Sequence, residues 1–373
     1  MGRPCWLLGV VLAGLVALES PGTAASALRT KNVFLITTDG LRWQEVFTGA
    51  QPGLMTKQTG GVANEAGLKK QFGQATAEAR RQALMPFFWT EIARRGQLYG
   101  NQTKGSVAHI TNGRKFSYPG YSEFLVGMAD DRIDSNNKMP NPNTNVFEWL
   151  NLRPGFQGRV AAIVNWDVIP WILNTERSRL PVWSGFALQP GAPDLIRLSP
   201  ELEELCRDTT RLWDGMLFDS FFYQAAREYV LQARPRAFYV SFSETDEWAH
   251  EGHYDRYLDA AHKVDRYIQG LWETVQSVPA YKDQTTFIIT TDHGRGSGLQ
   301  DWRSHGQQVQ GAEHIWIAVL GPDTPPLGER TNCAPVTQNQ VAATIAAALG
   351  EDFHAAFPKT GAPLAEALAG ARQ

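Results

Sequence analysis

The chain has 373 residues, of which 43% are hydrophobic, so it can bury a sizeable core in one large α/β domain or in two domains. Charged residues make up 20% of the sequence and the formal net charge is −3, so no electrostatic argument favours a nucleic-acid partner or a nucleic-acid-binding patch. There are three cysteines, too few for a zinc–thiolate site once the first segment is set aside, so a metal would have to be held by His and Asp side chains.

The first 27 residues have the pattern of a secretory signal peptide. Arg3 precedes an uncharged, mostly apolar run from Cys5 to Leu18, and a small-residue cleavage pattern follows at 25–27. This run is too short to span a bilayer comfortably, and the alternative is a buried first helix. We therefore predict an exported protein, periplasmic or secreted, with no transmembrane segment after the signal peptide is removed.

Export would place the two remaining cysteines, Cys206 and Cys333, in an oxidising compartment. They could form one disulfide there, but the sequence does not show whether they lie close together. Both a disulfide and two free thiols therefore stay open at this point.

Three apolar segments with strand-like composition lead to an aspartate. VFLITT precedes Asp39, AFYVSFSET precedes Asp246, and TFIITT precedes Asp292. These segments do not alternate strictly between polar and apolar residues, as expected for strands that are covered on both faces. Residues 254–276 form an amphipathic helix pattern, with apolar residues at three- and four-residue spacing. Strands and helices that alternate in this way predict an α/β fold, an α/β/α sandwich with a mostly parallel central sheet.

The stretches between these elements contain fewer regular patterns. RVAAIVNW, residues 159–166, is predicted to be a further strand, and no linker marks a second domain. We therefore predict a single catalytic domain over residues 28–373, with inserted loops near 44–100 and 170–235. Substrate specificity is expected to reside in these insertions.

Carboxylates and imidazoles cluster around the predicted strand ends. In sheets of this kind, ligands bind at the carboxyl ends of the strands, so residues distant in sequence can converge there. Each residue taken singly could be an ordinary turn or core residue, but together three aspartates and three histidines fit two divalent, zinc-like ions. The six candidates are Asp39, Asp246, His250, Asp292, His293 and His305.

A possible nucleophile lies in the stretch KFSYPGYSEFLVG. Ser117 stands two residues before Pro119, just ahead of a predicted helix. Proline is favoured in the first turn of a helix, where the exposed amides can bind an anion. A serine hydroxyl beside a metal ion can act as a nucleophile, but Ser117 could equally be the N-cap of the helix. This stretch alone leaves both interpretations open.

Taken together, these segments resemble the alkaline phosphatase superfamily, especially its type I phosphodiesterase/nucleotide pyrophosphatase branch. The matching stretches are NVFLITTDGLRW, FSYPGY, SETDEWAH, TTDHGRG, and SHG followed by IWIAVLGP. They span most of the chain after the signal peptide and occur in the order found in that family. The resemblance implies an alkaline phosphatase-like α/β/α sandwich that holds two divalent metal ions, expected to be zinc.

The resemblance also implies a role for each candidate residue. Ser117 would be the catalytic nucleophile and would form a phosphoseryl intermediate. An asparagine of the pair Asn136 and Asn137 would donate to a phosphate oxygen of the substrate, and Asn137 is our choice. Arg295 is expected at the substrate pocket from its position in the chain alone. One metal ion would be held by Asp39, Ser117, Asp292 and His293, and the other by Asp246, His250 and His305, with His314 as the alternative to His305.

Two features of the sequence depart from related families. The phosphodiesterase branch usually has threonine followed by F-P-N-H, whereas here Ser117 is followed by Y-P-G-Y. Sulfatases carry C/S-x-P-x-R around the residue that is oxidised to formylglycine, but Tyr121 stands where that arginine would be. We therefore expect a secreted, metal-dependent hydrolase of small phosphate esters, whether diesters or monoesters. The alternatives are a sulfatase of the same fold and a metal-free binding relative that has lost the reaction.

Overall fold

The computed structural model describes residues 1–2 and 28–368. The predicted signal peptide lies outside the described residues, apart from its first two. Among the described residues, no helix is both long enough and apolar enough to cross a membrane.

The central feature is a sheet of eight strands in the order β5-β4-β6-β1-β7-β8-β2-β9, and β3 and β10 form a separate parallel pair. The strands are β1 (Asn32–Thr38), β2 (Gln97–Tyr99), β3 (Ala108–His109), β4 (Val160–Val164), β5 (Val182–Trp183), β6 (Ala237–Phe242), β7 (Thr285–Thr290), β8 (Ile317–Leu320), β9 (Gly328–Glu329) and β10 (Val336–Thr337). Within the large sheet, only β8 runs antiparallel to its neighbours β7 and β2. The mostly parallel sheet that the sequence predicts is therefore confirmed.

Helices cover both faces of this sheet. They are α1 (Trp43–Thr48), α2 (Lys57–Gly60), α3 (Glu65–Phe72), α4 (Ala77–Leu84), α5 (Ala93–Arg95), α6 (Ser117–Val126), α7 (Val146–Asn151), α8 (Ile169–Ile172), α9 (Thr175–Ser178), α10 (Pro200–Asp208), α11 (Asp219–Ala233), α12 (Glu244–His250), α13 (Tyr254–Ser277), α14 (Val341–Ala348) and α15 (Phe353–Ala356). Short 3-10 turns lie at Pro52–Leu54, Gln102–Lys104, Gln338–Gln340 and Ala365–Ala367, and a π-helical turn at Phe88–Ile92. The element order alternates strands with helices, as expected for an α/β fold.

The central strands are apolar along their length because each one contributes to two hydrophobic cores. In β1, Phe34 and Ile36 face one core, and Val33 and Leu35 face the other. Successive side chains of a strand point to opposite faces of the sheet, so both sets are buried only if helices cover both sides. Helices α11 and α13 contribute to the first core, and α6 and α14 to the second. The three layers form the predicted α/β/α sandwich.

The two cysteines outside the first segment lie in different layers. Cys206 is buried on α10 in the first core, whereas Cys333 packs at the margin of the second core, where its thiol is 3.4 Å from Ser106 Oγ. Both are free thiols in the described structure. The disulfide that the sequence left open is therefore not formed.

Helix α6 packs unusually close to the segment that follows β7. Gly120 permits this approach, because a Cβ atom at this position would lie 2.3 Å from the backbone oxygen of Asp292. A side chain at Gly120 would therefore have to push the first turn of α6, including Ser117, away from the end of β7.

We predict that Gly120→Ala lowers thermal stability. Alanine is the better helix former by about 1 kcal/mol, but the clash is with a backbone atom, and overpacking of this kind costs about 1–3 kcal/mol. The matched control is Gly113→Ala, since no heavy atom lies within 4 Å of a Cβ built there. Thermal unfolding of the two variants tests the prediction, and equal melting temperatures would contradict it.

Candidate active site

Two aspartates mark the carboxyl ends of neighbouring parallel strands. Asp39 follows β1 and Asp292 lies just after β7, and these strands pair directly in the sheet. Both side chains are buried. The pattern of an apolar strand followed by an aspartate has therefore placed two carboxylates side by side, as the sequence predicts.

Each of these two carboxylates has one oxygen engaged and one without a hydrogen-bond partner among the described residues. Asp39 Oδ2 accepts from the Tyr121 hydroxyl at 3.1 Å, and Asp292 Oδ1 accepts from the Gly40 amide at 3.0 Å. The other two oxygens, Asp39 Oδ1 and Asp292 Oδ2, are buried and unpartnered, and each lies 3.4 Å from His293 Nε2. A buried carboxylate oxygen without a donor is costly, so this arrangement fits a bound cation.

The pKa shifts of Asp292 and His293 also fit a bound cation. Burial, followed by the charge of Asp39, raises the pKa of Asp292 well above its usual value. Burial alone would lower the pKa of His293, but the charges of Asp292 and Asp39 outweigh it and raise the pKa to about 9. The buried negative charge thus draws positive charge to this point, which a metal ion would supply.

A second group of ligand atoms is built on the short helix α12. Asp246 and His250 lie one turn apart, with His250 Nε2 3.1 Å from Asp246 Oδ2. His305, from the loop after β7, brings its Nε2 atom to 2.9 Å from His250 Nε2. Burial is the main cause that lowers the pKa of both histidines, and a neutral imidazole is the form that ligates a metal.

The candidate ligands form two overlapping groups among the described residues. Asp246, His250 and His305 form one, and Asp39, Asp246 and His293 the other, with the ligand atoms of each group within 4.8 Å of one another. The first group is the set that the sequence predicts. The second differs, because Asp246 takes the place expected for Asp292, although Asp292 Oδ2 lies close to His293. Asp246 is therefore common to both groups.

The two candidates for the last histidine ligand lie in different surroundings. The ring of His305 stacks on that of His293 with centroids 4.0 Å apart, and its Nδ1 lies 3.3 Å from the Lys115 carbonyl oxygen, which orients the ring. His314 instead forms an isolated β-bridge with His109, and its Nε2 lies 3.6 Å from Glu313. The structure brings His305 into the group and leaves His314 outside it.

Ser117 lies beside the Asp/His cluster. It is the first residue of α6, its side chain is buried, and its Oγ lies 3.4 Å from His293 Nε2. The N-cap of the helix is Phe116, which makes no side-chain capping bond. Ser117 is therefore not the N-cap, which was the alternative that the sequence left open. Its hydroxyl points towards the cluster instead.

The two predicted substrate contacts lie in different surroundings. Asn137 is exposed, and it is the adjacent Asn136 whose Oδ1 accepts from the Tyr118 amide, at 2.9 Å, next to Ser117. Arg295 does not line an open pocket, since its side chain is buried and bonded to protein groups. The motif spacing indicates where each residue lies in the chain but not the direction of its side chain.

Arg295 connects three segments that carry candidate ligands. Its Nε donates to the carbonyl oxygen of Gly40, next to Asp39, at 3.1 Å, and its Nη1 to that of Arg303, two residues before His305, at 2.7 Å. Its Nη2 donates to Asp246, at both the carbonyl oxygen and the carboxylate Oδ1. A planar guanidinium with fixed donors can hold all three segments at once.

A pair of acids anchors α12 and was not identified from the sequence. Asp219, at the start of α11, accepts from the amides of Ser243 and Glu244, at 2.8 and 3.1 Å, at the start of α12. In return, Glu244 Oε1 accepts from the Asp219 amide at 2.7 Å, and Asn165 Nδ2 donates to Asp219 Oδ1 at 2.7 Å. Each acid caps the helix of the other, which fixes the helix that carries Asp246 and His250. A reciprocal contact of this kind has no local sequence signature.

Part of the chain is similar to a known family of metal-dependent enzymes. Residues 220–352 match the sequence model of the Metalloenzyme superfamily. No curated protein matches the chain significantly.

Several solved structures are similar over nearly the whole chain. A phosphonate monoester hydrolase from Silicibacter pomeroyi has 14% identity and a TM-score of 0.55, with 92% of this chain and 78% of that chain covered. A 2-O GAG sulfatase has 13% identity and a TM-score of 0.56, covering 92% and 75%. A protein in the alkaline phosphatase superfamily from Vibrio parahaemolyticus has 13% identity and a TM-score of 0.50, covering 92% and 72%. The fold is therefore the predicted alkaline phosphatase-like α/β fold.

We predict that Arg295→Lys weakens metal binding. Lysine keeps the positive charge but lacks the planar set of donors with which the guanidinium joins the three segments. Loss of a residue that orients metal ligands typically lowers metal affinity about 10–100-fold. Zinc affinity of the apoprotein, measured by competition with a chromophoric chelator, checks this without any activity assay.

The control for this experiment is a second buried arginine away from the site. Arg81 donates to the Phe47 carbonyl oxygen at 3.2 Å and to Glu329 at 3.1 Å, so Arg81→Lys should lower the melting temperature and leave zinc affinity unchanged. If both variants lose stability and neither loses zinc affinity, Arg295 has no role in holding the ligands.

Proposed function

We propose that this protein is an exported, metal-dependent hydrolase of phosphate esters that uses Ser117 as its nucleophile. The observation that carries the proposal is the position of the Ser117 hydroxyl, 3.4 Å from His293 within a buried group of carboxylates and imidazoles. The similarity to solved hydrolase structures and to the Metalloenzyme superfamily supports it. Export rests on the signal-peptide pattern of the sequence.

The residues present fit divalent metal ions. Asp39, Asp292 and His293, with the Ser117 hydroxyl, would hold one ion, and Asp246, His250 and His305 a second. The unpartnered oxygens of Asp39 and Asp292 support this, because no donor among the described residues reaches them. Bound zinc would lower the pKa of a coordinated hydroxyl or water and would neutralise negative charge in the site.

The chain itself would position the substrate and the nucleophile. Three buried carboxylates would repel an anionic ester, so productive binding requires their charge to be compensated. The first turn of α6 presents Ser117 to the phosphorus, and Asn136 is bonded to the adjacent Tyr118 amide. Ser117 Oγ forms a bond to phosphorus as the bond to the alcohol oxygen breaks. The alcohol leaves with the proton that the serine gave up. Water then hydrolyses the phosphoserine, which restores the serine and releases phosphate from a monoester or a phosphate monoester from a diester.

A sulfatase is the second candidate, because a sulfatase is among the similar structures. One observation disfavours it. Tyr121 occupies the position of the sulfatase arginine, and its hydroxyl is buried against Asp39 Oδ2. The side chain is therefore committed to a candidate metal ligand, and we propose that phosphate esters are the better substrates. The nucleotide pyrophosphatase/phosphodiesterase subtype remains part of this proposal.

We predict that a chelator abolishes hydrolysis of 4-nitrophenyl phosphate and that added zinc restores it. The chelator should also lower the melting temperature, because a metal that binds only the folded state stabilises it. The release of nitrophenol and the thermal unfolding curve check the two effects. A rate that survives complete removal of metal would exclude this mechanism.

We predict that Ser117→Ala lowers kcat by about three orders of magnitude or more, since the nucleophile is lost. Zinc content should persist, because the carboxylates and imidazoles remain. The control is Ser122→Ala. Ser122 is a buried serine on the same helix, and its Oγ accepts a hydrogen bond from Asn141 Nδ2 at 2.9 Å, outside the Asp/His cluster. Full activity of the Ser117 variant would remove the nucleophile from the proposal.

A panel of substrates with the same leaving group separates the candidate activities. We predict that 4-nitrophenyl phosphate or bis(4-nitrophenyl) phosphate is hydrolysed with a higher kcat/KM than 4-nitrophenyl sulfate. Mass spectrometry of the peptide that contains Ser117 should find an unmodified serine. A formylglycine at this position together with a preference for the sulfate would instead identify a sulfatase.

A further inference from the structure

A cavity of about 740 Å³ lies within the predicted insertion at 170–235, outside the Asp/His cluster. It is lined by β5, by residues that follow β5, by residues of the helix α10, and by Arg211. We call it the β5 cavity. It is large enough for a small organic molecule.

The topology of the sheet places this cavity at the same edge as the candidate active site. β5 runs parallel to β4, and β4 runs parallel to β6, which leads to the helix of Asp246 and His250. The carboxyl ends of β5 and β6 therefore point the same way and lie two strand spacings apart, about 10 Å. Ligands of open α/β sheets bind outside these carboxyl ends.

A short stretch of chain forms the boundary between the cavity and the site. Trp213 Nε1 donates to Glu251, the residue after His250, at 2.8 Å, and its ring packs on Trp248 with centroids 5.0 Å apart. Only two residues before Trp213, Arg211 lines the cavity. A molecule that occupies the cavity therefore lies beside the segment that contacts the end of α12.

The lining combines flat apolar surface with three arginines and two acids, Asp194 and Glu203, of which Asp194 pairs with Arg197. Trp183, Phe186 and Ile196 supply the apolar surface, and the Arg211 guanidinium lies over the Phe186 ring, 4.4 Å from its centroid. Of the lining arginines, Arg197 and Arg207 form ion pairs, whereas Arg211 forms none among the described residues. Burial raises the pKa of the Cys206 thiol to about 11, so this lining residue adds no negative charge at neutral pH.

We propose that the β5 cavity binds the alcohol portion of the ester substrate, and that this portion is a flat apolar group that carries its own negative charge. Trp183 and Phe186 contact the apolar body, and Arg211 pairs with the anion. This inference rests on the proposed function, since it names the substrate class of the same site.

The first test measures binding without catalysis. 2-Naphthalenesulfonate is titrated calorimetrically into metal-loaded Ser117→Ala protein, which cannot turn over a substrate. We expect saturable binding that weakens by about tenfold or more with Arg211→Ala. 2-Naphthol and methanesulfonate, which each lack one half of the probe, should bind more weakly. The control is Arg94→Ala, an exposed arginine on α5 away from the cavity.

The second test connects the cavity to the reaction. The metal-loaded enzyme is assayed with two monoesters, a sulfonated 2-naphthyl phosphate and phenyl phosphate, and the ratio of their kcat/KM values is taken. We expect Arg211→Ala to lower kcat/KM for the sulfonated ester about tenfold relative to kcat/KM for phenyl phosphate. Arg94→Ala should leave the ratio of the two values unchanged. Probe binding that is absent, or equal in all variants, overturns the binding site. Probe binding that depends on Arg211 while the ratio stays constant overturns its role as a substrate subsite.

The two tests also separate this inference from the proposed function. If neither phosphate is hydrolysed, the hydrolase proposal fails, and the calorimetric result alone then decides whether the cavity binds anions. If both phosphates are hydrolysed and the calorimetric titration shows no binding, the hydrolase proposal stands and the cavity assignment fails.

Discussion

Three carboxylates at one end of the sheet constrain the rest of the candidate site. Asp39, Asp246 and Asp292 are all buried, and like charges in a low-dielectric interior repel one another strongly. The surroundings compensate for this charge with Arg295, with His293 and with hydrogen bonds from Gly40 and Tyr121. Two carboxylate oxygens still have no hydrogen-bond partner among the described residues, an arrangement that fits a bound cation. The folding of the site and its chemistry therefore share one electrostatic requirement.

Much of the fold, and the convergence of most of the candidate ligands, could be predicted from the sequence for the same reason. An apolar segment that loses its alternation indicates a strand covered on both faces, and the parallel arrangement brings the residues after such strands to one edge. Asp39, Asp292 and His293 follow directly from this rule. Asp246 and His250 follow from it together with helical spacing.

What the sequence could not provide was the direction of individual side chains. Asn136 and Asn137 are adjacent, and only the path of the loop decides which one reaches the Tyr118 amide. Arg295 follows the candidate ligand His293 by two residues, which suggests an open site, but its side chain is buried. The reciprocal caps of Asp219 and Glu244 join two helices through contacts that depend on tertiary structure. Periodicity and motif spacing carry no information on such contacts.

The caps of Asp219 and Glu244 divide the insertion into a fixed part and a variable part. The residues around 217–219 hold the start of α12, so substitutions there would disturb the ligands that this helix carries. The stretch from 186 to 212 supplies most of the residues that line the cavity. Evolution could therefore exchange the cavity wall, and with it the range of accepted leaving groups, while the reactive centre is inherited unchanged. A fold organised in this way can diversify its substrates without having to reinvent its chemistry.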